Sequence, residues 1–305
     1  MAGKGGSLVI GTRGSALARW QSDWVRDRLE ALWPGLGCRL SVFQTSGDRI
    51  LDRPLPEIGG KGLFTEELER ALLAGDIDVA VHSLKDLPVE NPAGLTLGAI
   101  PERADPRDVF ISARYEGIAE LPRGARVGTS SLRRGAQLLL LRPDLRLESL
   151  RGNVDTRIAK AMEGGYDAII LAAAGVGRLG RAASIRSYLA YDEMLPAPGQ
   201  GALGIQCRAG DAATLERLAA LEHAPTRRSV TAERAFLLGL GGGCSAPIAA
   251  IGAVDGSGEI ALTGLVAVSD GSRSLRVEGR GDEPLGLGRR LAEEALGRGA
   301  RDMLA

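Results

Sequence analysis

Short apolar runs alternate with amphipathic segments of helical period through the first hundred residues, and the alternation restarts near Asp105. That pattern narrows the chain to α/β architecture, because strands apolar on both faces need helices to cover them. SLVIGT reads as a buried strand, and SALARWQSDWVRDRLEALWP follows as a helix opened by Ser15 and stopped before Pro34. CRLSVFQT is a second strand, FTEELERALLAG a helix ended by Gly75, and DIDVAVHS a third strand, with LTLGAIP completing this part. The second series runs DVFISA, ARVGTS, helix SLRRGAQLLLLRP, LRLESLR, helix VDTRIAKAMEGG and YDAIILAAAG. Each series predicts a parallel sheet covered on both faces. LPAPGQGALGIQCR is rich in Pro and Gly before it turns into a strand, as a chain crossing back to the first domain would be. After helices AATLERLAALEH and TRRSVTAERAFLLGL, three segments read as antiparallel strands with turns at Asp255-Gly256 and Asp270-Gly271, and a final helix starts near Pro284. The expected fold class is α/β: one α/β domain over residues 1–101 with 202–219, a second over 105–197, and a small α+β domain over 224–305.

Length and composition allow this, since 305 residues with 44% hydrophobic content can fill two or three cores. No stretch approaches 18 apolar residues and the N-terminus lacks a signal-peptide core, so a cytoplasmic protein is expected. Cys38, Cys207 and Cys244 are odd in number and far apart, which fits neither a disulfide framework nor a paired zinc site. Only His82 and His223 are present, so a three-histidine zinc site is excluded, and no metal is expected. Zero net charge argues against a nucleic-acid or membrane partner. The phosphate-loop pattern G-x-x-x-x-G-K-[ST] is missing as well. Basic residues divide into 34 Arg and 4 Lys. Coding-DNA composition accounts for most of that bias, but against it Lys61, Lys85 and Lys160 suggest sites needing a compact ammonium.

Polar residues at the carboxyl end of a strand lie where open α/β sheets bind ligands, and VAVHSLKDLP places His82, Ser83, Lys85 and Asp86 there. Lys85 and Asp86 form either a solvated loop pair or, in a cleft, a site where Asp86 opposes a developing cation. VIGTRGSALAR and RVGTSSLRR repeat one arrangement: strand, Gly-Thr, then a helix start with serine and arginine. Either two βα turns chose similar caps independently, or two related domains aim N–H groups and arginines at an anion. Arg13, Arg133, Arg134, Arg151, Arg157 and Arg178 all sit at strand or loop ends, and guanidinium forks suit a ligand with many carboxylates. In LGLGGGCSAPI, Cys244 follows three glycines, and is either a small buried hydrophobe or a reachable thiol.

Taken together, GTRGS, GGKGLFTEELE, VHSLKDLP, DPRDVF, GTSSLRR, SLRGNVDTR, PAPGQGALGIQCR and GGGCSAPI resemble the porphobilinogen deaminase (hydroxymethylbilane synthase) family, in order over nearly the whole chain. The resemblance implies two periplasmic-binding-protein-like domains enclosing a cleft and a third domain with a cysteine on a loop, matching Cys244. That cysteine would carry a dipyrromethane cofactor as a thioether. Porphobilinogen, each unit bearing an acetate and a propionate, would lose ammonia to an azafulvene cation, and four units would be joined into linear hydroxymethylbilane. Asp86 matches the family's catalytic aspartate. Lys85, Ser131, Arg133, Arg134 and Arg157 match its cofactor-binding positions, and Arg13, Ser15, Lys61, Phe64, Arg151 and Arg178 its substrate-binding positions. A monomer with no nucleic-acid or membrane partner is expected. Glu57 and Ser46 depart from the family pattern, where a lysine and an arginine are frequent, and remove positive charge from the segment before Lys61.

Two other classes compete. A non-catalytic carboxylate-binding module explains the two α/β domains and the arginines, but not the third domain or Cys244. A cysteine hydrolase wants a histidine partner, for which His82 is the candidate, and His82 adjoins Asp86 instead.

Overall fold

The computed structural model describes residues 6–45, 65–242 and 246–304. Residues 6–45, 65–103 and 202–227 form one compact unit, and residues 104–201 and 228–304 form another. The fold class is α/β, and the described residues form two five-stranded sheets and a three-stranded antiparallel sheet.

In the first unit the strand order is β2-β1-β3-β10-β4, with β1 at Ser7–Arg13, β2 at Gly37–Phe43, β3 at Val79–Ser83, β4 at Leu95–Ala99 and β10 at Leu203–Arg208. Period-two alternation sends side chains to two cores. Leu8, Ile10, Val79 and Val81 pack with Val25 and Leu29 of helix α1 (Ala16–Leu32). Ala80 packs on the opposite face with Leu68 and Leu72 of α2 (Glu66–Ala74). Each such buried aliphatic contributes about 1.5–3 kcal/mol relative to exposure, which holds the strand ends in place. Gly75 ends α2 as expected, in the left-handed region at φ 81° with its N–H on Ala71 and Leu72.

The expectation of a parallel sheet needs correction. β1 runs parallel to β2 and β3, but β10 pairs antiparallel with β3 and β4. Strand β10 follows the segment that returns from the other unit, so its direction is free of the right-handed crossover rule that governs consecutive βαβ strands.

The second unit holds the sheet β7-β6-β8-β5-β9, built from β5 (Asp108–Ile111), β6 (Arg126–Gly128), β7 (Arg146–Glu148), β8 (Ala168–Ala172) and β9 (Ser187–Tyr188). It is mixed too, since β5 pairs antiparallel with β8 and β9. Ala168 and Ile170 of β8 pack on Leu138 of α3 (Leu132–Leu141), while Ile169 and Leu171 pack on Ile158 of α4 (Val154–Met162). Helix α5 (Ala173–Arg178) follows β8 directly. Beyond the first unit's α6 (Ala212–Ala219), helix α7 (Ala224–Gly239) leads to β11 (Ile248–Val254), β12 (Ile260–Ala267) and β13 (Ser274–Gly281), then α8 (Pro284–Gly297) and α9 (Ala300–Leu304). Phe236 of α7 and Leu291 of α8 cover that sheet. The turn after β11 is longer than the Asp255-Gly256 pair suggests: it closes with Asp255 N–H on Glu259 O, and Gly258 supplies the positive φ. Within this unit the loop before β10 is pinned to both neighbours. Gln137 of α3 exchanges hydrogen bonds with the Leu195 backbone, and the fully buried Glu233 of α7 accepts from Gly199 N (2.6 Å) and Gly252 N (2.9 Å).

Candidate active site

In the first unit, the carboxyl ends of β1 and β3 meet the start of α1. Ser15 caps α1, its hydroxyl accepting from Ala18 N at 3.3 Å. After β3 a single 3₁₀ turn, Leu84–Asp86, carries Asp86 outward, anchored by Leu84 N–H on Ala202 O (3.0 Å). Arg13, Ser15, Gln21, Thr65, His82, Ser83 and Asp86 line one hollow there. Asp86 is exposed, whereas His82 is buried. Gln21 donates to Ser83 Oγ at 2.8 Å, fixing that wall. Burial, and next the charge of Arg13, lower the His82 pKa to about 4, with Gln206 pulling the other way. His82 is therefore neutral near pH 7 and is a poor base for a cysteine. The hollow brings together Arg13, Ser15 and Asp86 of the expected residues, whereas Lys85, the residue before Asp86, does not line it.

The second unit repeats the serine cap. Ser131 caps α3, accepting from Arg134 N at 3.4 Å, so the sequence echo corresponds to two capped helices that each follow a strand of a central sheet. Arg133 and Arg134, in the first turn of α3, are 5% and 7% exposed and converge on one carboxylate, Asp108 at the start of β5. Arg133 Nη1 lies 2.8 Å from Oδ2, and Arg134 donates from Nε (3.1 Å) and Nη2 (2.7 Å) to Oδ1. Gln200 adds a donor to Oδ1 at 2.9 Å. Burial by itself would raise the Asp108 pKa, but the two guanidiniums outweigh it and hold the carboxyl well below the usual range. Two cations on one anion leave the cluster with net positive charge beside a helix N-terminus, a setting that favours an anionic ligand.

Three further arginines were expected at the site. Arg151 lies in the loop before α4, and its Nη2 is buried with no hydrogen-bond partner among the described residues. Arg157 donates from Nε to Gly152 O at 2.7 Å. Arg178, at the end of α5, donates to Gly201 O at 2.7 Å, and burial lowers its pKa to about 10, which leaves it charged near pH 7. Lys61, Phe64 and Cys244, together with Glu57 and Ser46, lie outside the described residues. Asp108 and Gln200 were not singled out from the sequence, although DPRDVF and PAPGQG contain them. An aspartate opening an apolar strand was the available signal, but nothing local names its partners 25 to 92 residues away.

Comparison with known proteins supplies the context for this geometry. Residues 8–216 match the family described as porphobilinogen deaminase, dipyrromethane cofactor binding domain, and residues 228–297 match the porphobilinogen deaminase C-terminal domain. The chain is 51% identical to a porphobilinogen deaminase of Brevibacillus brevis, covering 98% of this chain and 97% of that one. It is 53% identical to one of Nitratidesulfovibrio vulgaris (98% and 96% covered) and 52% identical to one of Moorella thermoacetica (97% and 95% covered). Among solved structures, a nutrient binding protein from Burkholderia cenocepacia bound to methionine aligns with a TM-score of 0.43 at 13% identity, over 70% of this chain and 90% of that one, a likeness too distant to bear on function. The two family matches together span most of the sequence, and the relatives align almost end to end, so this chain belongs to the porphobilinogen deaminase family.

Proposed function

We propose that this chain is a hydroxymethylbilane synthase, a transferase that joins four porphobilinogen molecules head to tail with release of four ammonia in tetrapyrrole biosynthesis. The observation that carries the reading is an exposed Asp86 on a 3₁₀ turn, sharing one hollow with Arg13 and Ser15. Loss of ammonia from an aminomethyl pyrrole leaves positive charge, and an ionised carboxylate fixed beside it stabilises that charge without reorganising. A single preorganised electrostatic contact of this kind is worth roughly 2.7–4 kcal/mol of barrier. Arg13 and the N-terminus of α1 supply the complementary positive pole for a substrate carboxylate. His82, held neutral, takes no part as an acid near pH 7.

The second unit's donors fit a dipyrromethane, because its acetate and propionate groups match the surplus positive charge around Asp108, the capped N-terminus of α3 and the Nη2 of Arg151, which has no partner among the described residues. Ser131, Arg133, Arg134 and Arg157, with Lys85, are the proposed holders of that group, and Cys244 its covalent anchor. When bound, the group supplies the pyrrole to which new units are added. Arg151 and Arg178, with Lys61 and Phe64, are the proposed contacts of incoming substrate carboxylates and ring. Arg133 and Arg134 keep this role only through donor atoms that Asp108 leaves uncommitted, namely Nε and Nη2 of Arg133 and Nη1 of Arg134. We read the protein as a cytoplasmic monomer whose partner is a small molecule, not nucleic acid or membrane. Among the described residues no helix is long and apolar enough to cross a bilayer.

Stoichiometry tests the reading. Protein incubated with porphobilinogen should release one ammonia per unit consumed and yield a product of four units by mass. A purely binding module would deplete free porphobilinogen reversibly and release no ammonia.

A further inference from the structure

The segment from Arg151 to Asn153, between β7 and α4, is shaped by side chains of the helix that follows it. Gly152 takes φ 111°, and a Cβ there would stand 2.9 Å from Thr156 Cγ2, so the backbone path requires glycine. Asn153 Oδ1 caps α4, accepting from Thr156 N (3.1 Å) and Thr156 Oγ1 (2.8 Å). The two carbonyls ahead of this cap each receive a cationic donor from α4: Arg157 Nε on Gly152 O at 2.7 Å and Lys160 Nζ on Arg151 O at 3.1 Å. Positions 157 and 160 are three apart and share one helix face, which is why both reach the same short loop.

Lys160 is one of only four lysines in a chain that uses arginine 34 times. It lines a surface hollow with Glu148, Glu163 and Tyr166, so carboxylates stand near it, yet its ammonium reaches the main chain at Arg151. The ammonium gives that carbonyl oxygen one charged donor at the end of a four-carbon stem. The residue so held keeps a buried Nη2 with no hydrogen-bond partner among the described residues. Leaving a guanidinium N–H buried and unpaired is costly, and the cost is recovered when an acceptor arrives.

We infer that Lys160 is a positioning residue for Arg151: by fixing the Arg151 carbonyl to α4 it holds the guanidinium ready for a substrate carboxylate. This rests on the proposed substrate-binding role of Arg151. Lys160 itself touches no substrate, so its loss acts on capture and not on chemistry.

The test compares wild type with Lys160→Met, which keeps length and removes the donor, and Lys160→Arg, which restores one. Lys160→Met should raise KM for porphobilinogen about three- to tenfold, the span of one net hydrogen bond, with kcat within about twofold. Lys160→Arg should recover most of the KM. Amide hydrogen exchange of the ligand-free proteins gives a second readout: in Lys160→Met the amides of residues 151–153 should exchange faster while those of β8 and α3 keep wild-type rates. An unchanged KM, a fall in kcat at constant KM, or exchange accelerated throughout the second unit would overturn the inference. Were wild type itself to release no ammonia from porphobilinogen, the functional reading would fail, and unchanged exchange at 151–153 would separately dismiss the brace.

Discussion

Replacing Asp108 with Asn removes one charge and almost no volume, and the structure assigns that change a large cost. The carboxylate is fully buried and takes Arg133 at 2.8 Å, Arg134 at 2.7 and 3.1 Å, and Gln200 at 2.9 Å. In Asp108→Asn two guanidiniums, each over nine-tenths buried, face each other with no anion between them. An amide oxygen still accepts a hydrogen bond, but it supplies no counter-charge. Breaking a buried pair from one side costs about 3–5 kcal/mol, and over a cooperative unit of this size that lowers Tm by roughly 6–20 °C. The pH dependence has a definite sign. Because the folded Asp108 pKa lies below its unfolded value, its stabilisation is complete above the unfolded aspartate pKa of about 3.9 and is lost as pH falls from there through the folded value. Thermal unfolding followed by circular dichroism should show a gap between wild type and variant that is constant from pH 5 to 8 and narrows only in stronger acid. A Tm within 2 °C of wild type at pH 7, or a gap that widens as pH falls below 5, would refute the assignment of Asp108 as the counter-charge.

Other perturbations separate chemistry from binding. Asp86→Asn should keep the fold and lower kcat about 10²–10³-fold, the loss of one preorganised contact; near-normal single-turnover rates would remove Asp86 from the mechanism. Arg151→Leu should weaken porphobilinogen capture by tenfold or more, as loss of a charge-assisted hydrogen bond worth roughly 1.5–3 kcal/mol implies, with wild-type Tm; a large Tm drop and no change in KM would make the residue structural. His82, whose folded pKa near 4 lies below the free value, contributes stability that is present above the unfolded pKa of about 6.5 and lost as pH falls toward 4. Its ring resonances should therefore show no titration between pH 5.5 and 8, and a midpoint near 6.5 would contradict the burial argument.

Local chemistry was legible in the sequence, and long-range pairing was not. Ser15 and Ser131 read as helix caps because capping is settled within three residues, and both hydroxyls do accept from the expected turn. Gly75 read as a terminator for the same reason. The antiparallel course of β10 and β5 is not written in the local pattern, because strand direction depends on where the chain returns from, which alternation of apolar and polar residues does not encode. The arginines were legible as cations, but their engagements were not: Arg133 and Arg134 share Asp108, Arg157 serves Gly152 O and Arg178 serves Gly201 O. A motif names the residue types that a site contains. Which donor atoms remain for a ligand is decided by partners that lie from 5 to 26 positions away, and the motif does not name them.

The central claim is that Cys244 anchors a covalent dipyrromethane, and the intact mass of denatured protein tests it most directly. Freshly purified active protein should carry the bare chain mass plus one dipyrromethane. Cys38→Ser and Cys207→Ser should retain that addition, as thiols whose pKa burial pushes up to about 11 are poor nucleophiles, and Cys244→Ser should lose it together with activity. Active protein at the bare chain mass, or an addition that survives Cys244→Ser, would contradict the account.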